Sequence, residues 1–128
     1  MRVCTALWTL AALCGVLSAC TTDVPSPSNQ SPQPPPPIEG AGPWQPFELY
    51  THCGINRSLI EFDGEYWEAI GPGPLSDGSG NPPAGFGNPT DLGWIARTEA
   101  DAAAFQSSRG VPLFLRRLDQ QPDVGMCF

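Results

Sequence analysis

Lysine is absent from this chain of 128 residues, whose basic side chains are six arginines against thirteen acidic residues. The formal net charge is −7. Binding to a phosphate backbone needs clustered lysine or arginine, and the single adjacent basic pair is Arg116-Arg117. An acidic surface is also repelled by anionic lipid headgroups. The composition therefore argues against nucleic acid as a partner and against membrane attachment through a basic face.

Sequence motifs for catalysis and metal binding are also missing. His52 is the only histidine, and no C-x-x-C, G-x-S-x-G or phosphate-binding glycine motif occurs. His52 and Cys53 are neighbours on a predicted strand, so their side chains point to opposite faces and cannot form a nucleophile–base pair. One histidine and well-separated cysteines offer no zinc site. We therefore expect no catalytic residue, no metal ion and no cofactor.

Long apolar runs are scarce, and the run at the N-terminus is short. Arg2 precedes an apolar stretch over residues 3–16, and Leu17-Ser18-Ala19-Cys20 follows at once. A charged start, a short apolar stretch and small residues before a cut are typical of a secretory signal. The run is marginal for crossing ~30 Å of hydrocarbon. The alternative is an uncleaved signal anchor in which the cysteine is incidental.

The motif Leu17-Ser18-Ala19-Cys20 resembles the lipobox of bacterial lipoproteins. In that class the cysteine thiol receives a diacylglyceryl group, and a dedicated peptidase cuts just before it. The resemblance implies a signal peptide over residues 1–19 and lipidation of Cys20. Two acyl chains at one residue are enough for stable anchoring. The mature protein is then expected at the outer face of the cytoplasmic membrane, in the cell envelope.

Residues 20–43 contain the proline-rich part of the chain. After Cys20 this stretch has no aromatic residue and too few aliphatic ones to offset its loss of conformational entropy. Four prolines at 34–37 favour polyproline II, which rises ~3.1 Å per residue. We expect a disordered, semi-extended tether that lifts the domain up to ~70 Å from the bilayer. The alternative is a proline-rich recognition motif for a partner with an aromatic groove.

Residues 44–128 predict one small all-β domain. Apolar side chains alternate over 47–55, which indicates a strand with one core face, and further strands are predicted over 92–98 and 111–118. The alanine-rich segment 99–105 fits a short helix or a strand, and its alanines favour the helix. The predicted fold is an antiparallel sandwich or partly open barrel of four to five strands, with one short helix.

The clearest local signal is a hairpin at Asp63-Gly64. A type I′ turn needs positive φ at both central positions, which this dipeptide accepts. Strands over 58–62 and 65–70 flank the turn, and the two-residue loop pairs Ile60 with Trp67. The residues predicted on its core face are Ile60, Phe62, Trp67 and Ala69, whereas Glu65 is expected in water beside the turn.

Residues 71–91 form a long loop with five prolines and six glycines. Loops above about 12–15 residues are usually functional or disordered, and prolines lower the entropy lost on ordering. We expect an ordered loop pinned to the core by its single aromatic residue, with disorder as the alternative. A calcium loop is disfavoured, because Pro82 stands where an EF-hand needs its glycine. The candidate binding residues are the anchor Phe86 and the outward-pointing Asp77, Asn81, Asn88 and Asp91.

The role expected for each cysteine depends on its position in the chain. Two of the five lie within the signal segment, and Cys20 is the predicted lipid site. Cys53 and Cys127 remain in the exported domain, where an oxidising compartment favours a disulfide between them. Closing such a long loop contributes ~4 kcal/mol in the chain-entropy model.

A second resemblance covers most of the domain. The T-H-C-G-I strand at 51–55, the F-D-G hairpin at 62–64, the G-N-P-P loop at 80–83 and Cys127 near the end resemble a group of small uncharacterised actinobacterial proteins. The likeness supports the domain limits and the pairing of Cys53 with Cys127. No activity accompanies it.

Together these features predict a membrane-anchored exported lipoprotein that is not an enzyme. Its small domain is expected to bind or interact at the cell envelope, where the partner is a protein or a glycan. The alternative is a small envelope hydrolase that uses surface carboxylates and His52. Glu61 and Glu68, which share a predicted hairpin face, are the carboxylates considered, although such residues are normally solvating charges.

Overall fold

The computed structural model, which describes residues 31–125, contains six strands. They are β1 (Gln45–Tyr50), β2 (Ile60–Phe62), β3 (Glu65–Gly71), β4 (Thr90–Arg97), β5 (Ala102–Ser107) and β6 (Pro112–Leu118). Antiparallel pairing joins them in the order β1-β4-β5-β6-β3-β2, and the sheet is nearly closed into a barrel. The predicted all-β class is confirmed, with six strands rather than four or five. No helix in the described part is long and apolar enough to cross a membrane.

The core is formed by side chains that alternate toward the inside of the curved sheet. Phe105 meets Phe47 edge-on, with ring centroids 6.2 Å apart. Gly93 on β4 makes room for the Phe105 ring, because a Cβ built at this glycine would lie 2.7 Å from the ring. The buried cluster comprises Leu49, Ile55, Ile60, Phe62, Trp67, Ile95, Ala103, Phe105, Leu113 and Leu115.

The predicted hairpin between β2 and β3 is confirmed. Asp63 and Gly64 have φ angles of 54° and 72°, as a type I′ turn requires. Ile60 lies opposite Trp67 in the expected register, and both side chains are fully buried. Glu65 differs from the expectation, because it is half-buried and ion-paired with arginines instead of simply hydrated.

The favoured helix over residues 99–105 was wrong. The chain turns at this point and forms β5, which pairs with β4 on one side and β6 on the other. Ala103 and Phe105 point into the core at strand spacing and are almost fully buried. Two hydrogen-bonding neighbours and an inward apolar face therefore outweigh the helix propensity of the alanines.

The strand predicted over residues 47–55 is shorter in the structure. β1 ends at Tyr50, and the next two backbone amides both donate to the carbonyl oxygen of Pro89, at 2.8 and 3.1 Å. Cys53 then has a φ of 77°, and one turn of 3₁₀ helix follows at Ile55–Arg57. The chain thereby leaves the sheet and crosses from the β1 edge to the β2 edge.

Residues 31–44 have no regular secondary structure, but they lie on the domain. The Gly42 amide donates to the Arg97 carbonyl oxygen at 2.8 Å. The Trp44 indole Nε1 donates to the Pro36 carbonyl oxygen at 2.9 Å. This part of the predicted tether is therefore attached to the domain and does not act as a free spacer.

Candidate functional site

The loop between β3 and β4 is held against the barrel at two places. Phe86 is half-buried and packs on the core cluster, as its predicted anchoring role requires. The Thr51 hydroxyl, fully buried after β1, donates to the Gly87 carbonyl oxygen at 2.5 Å. In the first half of the loop, the Leu75 carbonyl oxygen accepts a hydrogen bond from the Ile55 amide at 2.7 Å. The loop is thus ordered by contacts at both of its halves.

Asp77 organises the exposed part of this loop. Its carboxylate accepts hydrogen bonds from the backbone amides of Ser79 at 2.7 Å and Asn81 at 3.0 Å. The Asn81 side-chain amide donates to the second carboxylate oxygen at 3.1 Å. The hydrogen bond from the Ser79 amide, followed by those from Asn81, lowers the pKa of Asp77 below its usual range. The carboxylate is therefore a fixed negative charge at neutral pH.

A row of polar side chains continues from this turn to the end of β1. The Asn88 Nδ2 atom donates to Asn81 Oδ1 at 3.3 Å, and Asn88 Oδ1 accepts from His52 Nδ1 at 3.2 Å. The His52 ring lies edge-on to Tyr50, with centroids 6.3 Å apart. We name Asp77, Asn81, Asn88 and His52 the polar ridge. It runs from the middle of the loop to His52, which lies two residues after the end of β1.

The polar ridge contains three of the four residues expected to point outward. Asp77, Asn81 and Asn88 are exposed, whereas the expectation for Asp91 was wrong. Asp91 belongs to β4, lies opposite Leu49 and is 2% exposed. Its Oδ1 atom is 3.6 Å from Arg109 Nε, while its Oδ2 atom has no hydrogen-bond partner among the described residues. Strand alternation turns this carboxylate inward, so it does not belong to the binding surface.

An apolar strip on the outer face of β1 and β4 was not predicted. Tyr50 is 47% and Leu92 is 59% exposed, and the register places Pro46 opposite Trp94 next to them. Leu92 and Trp94 are two positions apart on β4, so they share the face opposite to that of Gly93. This alternation in the sequence could have predicted an apolar outer face. The strip begins beside His52, which connects it to the polar ridge.

Both carboxylates of β3 are paired with arginines. Glu65 is ion-paired with Arg97 and also contacts Arg117 at 3.2 Å, and Glu68 accepts from Arg116 Nε at 2.9 Å. The hydrogen bond from Arg97 is the largest cause that lowers the pKa of Glu65. Both carboxylates are thus engaged by arginines of β4 and β6.

The predicted cysteine sites lie mostly outside the described residues. Cys53 forms a disulfide, and its partner is not among residues 31–125, which contain no other cysteine. The predicted partner Cys127 and the predicted lipid site Cys20 both fall outside that range, so each stays a prediction. Within the same range, no group of three His, Cys, Asp or Glu side chains is arranged to hold a metal ion.

Comparison with known proteins adds no relative. No family model, no curated protein and no solved structure matches the chain. Its function must therefore be argued from the site itself.

Proposed function

We propose that this protein is an exported lipoprotein, anchored through Cys20 at the outer face of the cytoplasmic membrane, whose β domain is a non-catalytic interaction module. The partner is an envelope protein or glycan that contacts the polar ridge and the adjacent Tyr50. The observation that carries the proposal is the ordered loop, whose exposed side chains are fixed by hydrogen bonds to one another and to the end of β1.

A binding role follows from the rigidity and chemistry of this surface. An ordered loop of this length is more often functional than incidental, and side chains that are already fixed lose less conformational entropy when a partner binds. Asn81 and Asn88 carry both donors and acceptors, while Tyr50 supplies an exposed aromatic ring. Amide groups beside an aromatic ring suit the hydroxyls and apolar faces of a glycan and the backbone of a protein.

The contacts of the carboxylates favour binding over hydrolysis. A glycosidase needs two carboxyl groups that flank the scissile bond. Glu68, one of the two carboxylates considered for hydrolysis, is instead ion-paired with Arg116, and the hydrogen bond of His52 is to the amide oxygen of Asn88. The hydrolase alternative therefore lacks a supporting contact at the polar ridge.

The anchor is proposed on chemical grounds. The acidic chain offers no basic face for anionic headgroups, whereas a diacylglyceryl group at one cysteine supplies two acyl chains, which hold a protein stably on a membrane. Anchoring also keeps the domain at high local concentration beside envelope partners, so a weak contact at the polar ridge is sufficient.

The experiment is photo-crosslinking in intact cells that express the full chain. A photoreactive benzophenone amino acid replaces Asn81 on the polar ridge, and in the matched control it replaces Gln120, an exposed residue after β6. We expect a discrete crosslinked product from position 81 and a much weaker one from position 120. Digestion with protease or glycosidase then distinguishes a protein partner from a glycan.

The same cells test the anchor. With Cys20→Ala we expect the protein to leave the membrane fraction or to remain as uncut precursor, and the crosslinked product from position 81 to decrease. Membrane retention with normal processing would contradict the lipid anchor. Equal crosslinking from positions 81 and 120 would contradict the interaction surface.

A further inference from the structure

The proline-rich segment lies across the outer face of the sheet. Two cavities, of about 370 and about 340 Å³, lie between this segment and the strands, and both are lined by Pro32 and Trp94. The residues that line the first also include Phe47 and Leu92, and those that line the second include Pro35 and Pro36. The segment therefore borders two neighbouring cavities on the outer face, and Trp94 lines both of them.

Contacts on the N-terminal side of β1 bring the segment back over the sheet. The Ala41 amide donates to the Ile38 carbonyl oxygen at 3.1 Å, which closes a turn. Gly42 then bonds to the Arg97 backbone at the end of β4, so the returning chain is directed along the outer surface. Trp44, which precedes β1, holds it there through the indole hydrogen bond to Pro36.

Two outward-facing alanines of the sheet are nearly fully buried. Ala96 and Ala104 are register partners on β4 and β5, and both lie outside the core cluster because their neighbours Ile95 and Phe105 point inward. They are nevertheless only 0% and 8% exposed. The Gly42 amide bonds to the carbonyl oxygen of Arg97, the residue after Ala96, so the chain that precedes β1 passes beside this pair.

The chemistry of this contact matches polyproline recognition. Proline has no N–H, so a run of prolines keeps its carbonyl oxygens free, and its fixed φ keeps the run extended at low entropic cost. Grooves that bind such runs are lined with aromatic rings. Trp94 supplies the ring beneath the segment, and Trp44 supplies the N–H donor to the Pro36 carbonyl oxygen.

We propose that Trp44 and Trp94 form a polyproline-binding groove and that residues 32–37 of the same chain are its ligand. The segment is covalently linked to the groove through a short turn, so its effective concentration is high and the groove is filled in cis. Contacts among the described residues support the groove. They are independent of the polar ridge and of the lipid anchor.

The groove has a consequence for reach if Cys20 carries the anchor. With residues 32–37 bound, the sequence between Cys20 and the groove is residues 20–31, whose maximal reach is ~37 Å at ~3.1 Å per residue. Release of the segment restores the full tether and roughly doubles this distance. The groove therefore sets how far the domain stands from the membrane.

The test uses the indole N–H signals in nitrogen–proton correlation spectra of the full chain, purified in detergent. Trp8→Phe leaves three indoles, those of Trp44, Trp67 and Trp94. Replacing all four prolines at 34–37 by serine should shift the signals of Trp44 and Trp94 and speed hydrogen exchange at the Trp44 indole several-fold. The signal of Trp67 should stay in place, because its N–H donates to the Phe62 carbonyl oxygen inside the barrel.

The matched control replaces Pro25 and Pro27 by serine, since these prolines precede residues 32–37 in the sequence. This variant should leave all three indole signals unchanged. A synthetic peptide with the sequence of residues 31–38, added to the tetra-serine variant, should return the Trp44 and Trp94 signals toward their original positions in a saturable manner. The chain with its own prolines should respond only at much higher peptide concentration.

Three outcomes would overturn the groove. These are unchanged Trp44 and Trp94 signals in the tetra-serine variant, no response of that variant to excess peptide, and an equal response to a peptide of the same composition in scrambled order. A displaced Trp67 signal would show that the variant has lost its fold. In that case Trp44→Phe is the second variant, and it must shift the Trp94 signal while that of Trp67 stays in place.

Discussion

At the scale of single residues, Trp67 packs in the core and also contacts a partly exposed arginine. Its ring is fully buried, and its indole N–H is satisfied by the Phe62 carbonyl oxygen at 3.0 Å. The Arg97 guanidinium lies 5.2 Å from the ring centroid, within the range of a cation–π contact. Arg97 also pairs with Glu65 at the mouth of the hairpin. The charged pair therefore closes one end of the core without being buried in it.

Glu65 gives a prediction about pH. The pKa of Glu65 is lowered from its ordinary value of 4.5, first by the hydrogen bond from Arg97. A carboxylate whose pKa is lower in the folded state stabilises that state above the unfolded pKa, and this stabilisation is lost as pH falls through the folded value. We expect Glu65→Gln to flatten the fall in unfolding free energy below about pH 4.5, measured by urea denaturation across pH.

The control for this prediction is Glu61→Gln. Glu61 is exposed on β2 and makes no ion pair with any residue in the described range. The variant should keep the original pH dependence, and added salt should weaken the Glu65 effect because the pair is partly hydrated. Parallel curves for Glu65→Gln and the unchanged protein would contradict a role for this ion pair.

At the scale of elements, the hairpin and β5 show where local signals succeed and fail. The turn at Asp63-Gly64 was predicted correctly, because positive φ at two adjacent positions is a property of those residues alone. For residues 99–105, which fit a helix or a strand, the alanines favour the helix in isolation, and that preference was wrong. Its strand depends on hydrogen bonds to β4 and β6, which the residues of the segment do not themselves reveal.

The turn glycine gives a prediction about stability. Gly64 has a φ of 72°, and a Cβ at this position would meet no atom within 4 Å. Gly64→Ala should therefore destabilise the domain by ~1–2 kcal/mol through backbone conformation alone. Gly42→Ala is the matched control, because Gly42 lacks a positive φ and its Cβ would meet the Arg97 carbonyl oxygen at an ordinary 3.7 Å.

Urea denaturation with the disulfide intact measures both glycine variants. The control should stay within about 0.5 kcal/mol of the original protein. Equal losses for Gly64→Ala and Gly42→Ala would show that the left-handed turn conformation is not the source of the cost.

At the scale of the whole molecule, the disulfide of Cys53 links the end of β1 to a part of the chain outside the described residues. We predict that its partner is Cys127. Trypsin cuts after arginine, so it should release the C-terminal peptide that starts at Leu118 joined to the peptide that ends at Arg57. Mass spectrometry of the non-reduced protein should detect this linked pair, and reduction should separate it.

Thiol labelling completes this prediction. An alkylating reagent should label neither Cys53 nor Cys127 before reduction and should label both afterwards. A linked peptide that joins Cys53 to any other cysteine would remove the predicted pair. Breaking the bond with Cys127→Ser should lower the free energy of unfolding by at most ~4 kcal/mol. This is the chain-entropy value, and engineered disulfides often contribute less.

The sequence by itself determined the local features of the described fold. Alternation with period two fixed the inward residues of the hairpin, and Asp63-Gly64 set its register. The long loop and its aromatic anchor were also predictable, since proline and glycine content and a single Phe86 are read directly from the chain. These properties depend on neighbouring residues, so they do not require knowledge of the other strands.

Only the tertiary structure decided the features that depend on distant partners. Asp91 is buried because β4 begins before it and pairs with β1, and His52 joins the polar ridge because the loop returns beside the end of β1. The proline-rich segment contains too little apolar surface to fold alone, yet it lies on Trp94 because the sheet supplies that surface. Burial and hydrogen bonding between distant segments are properties of the assembled sheet, so no local pattern could specify them.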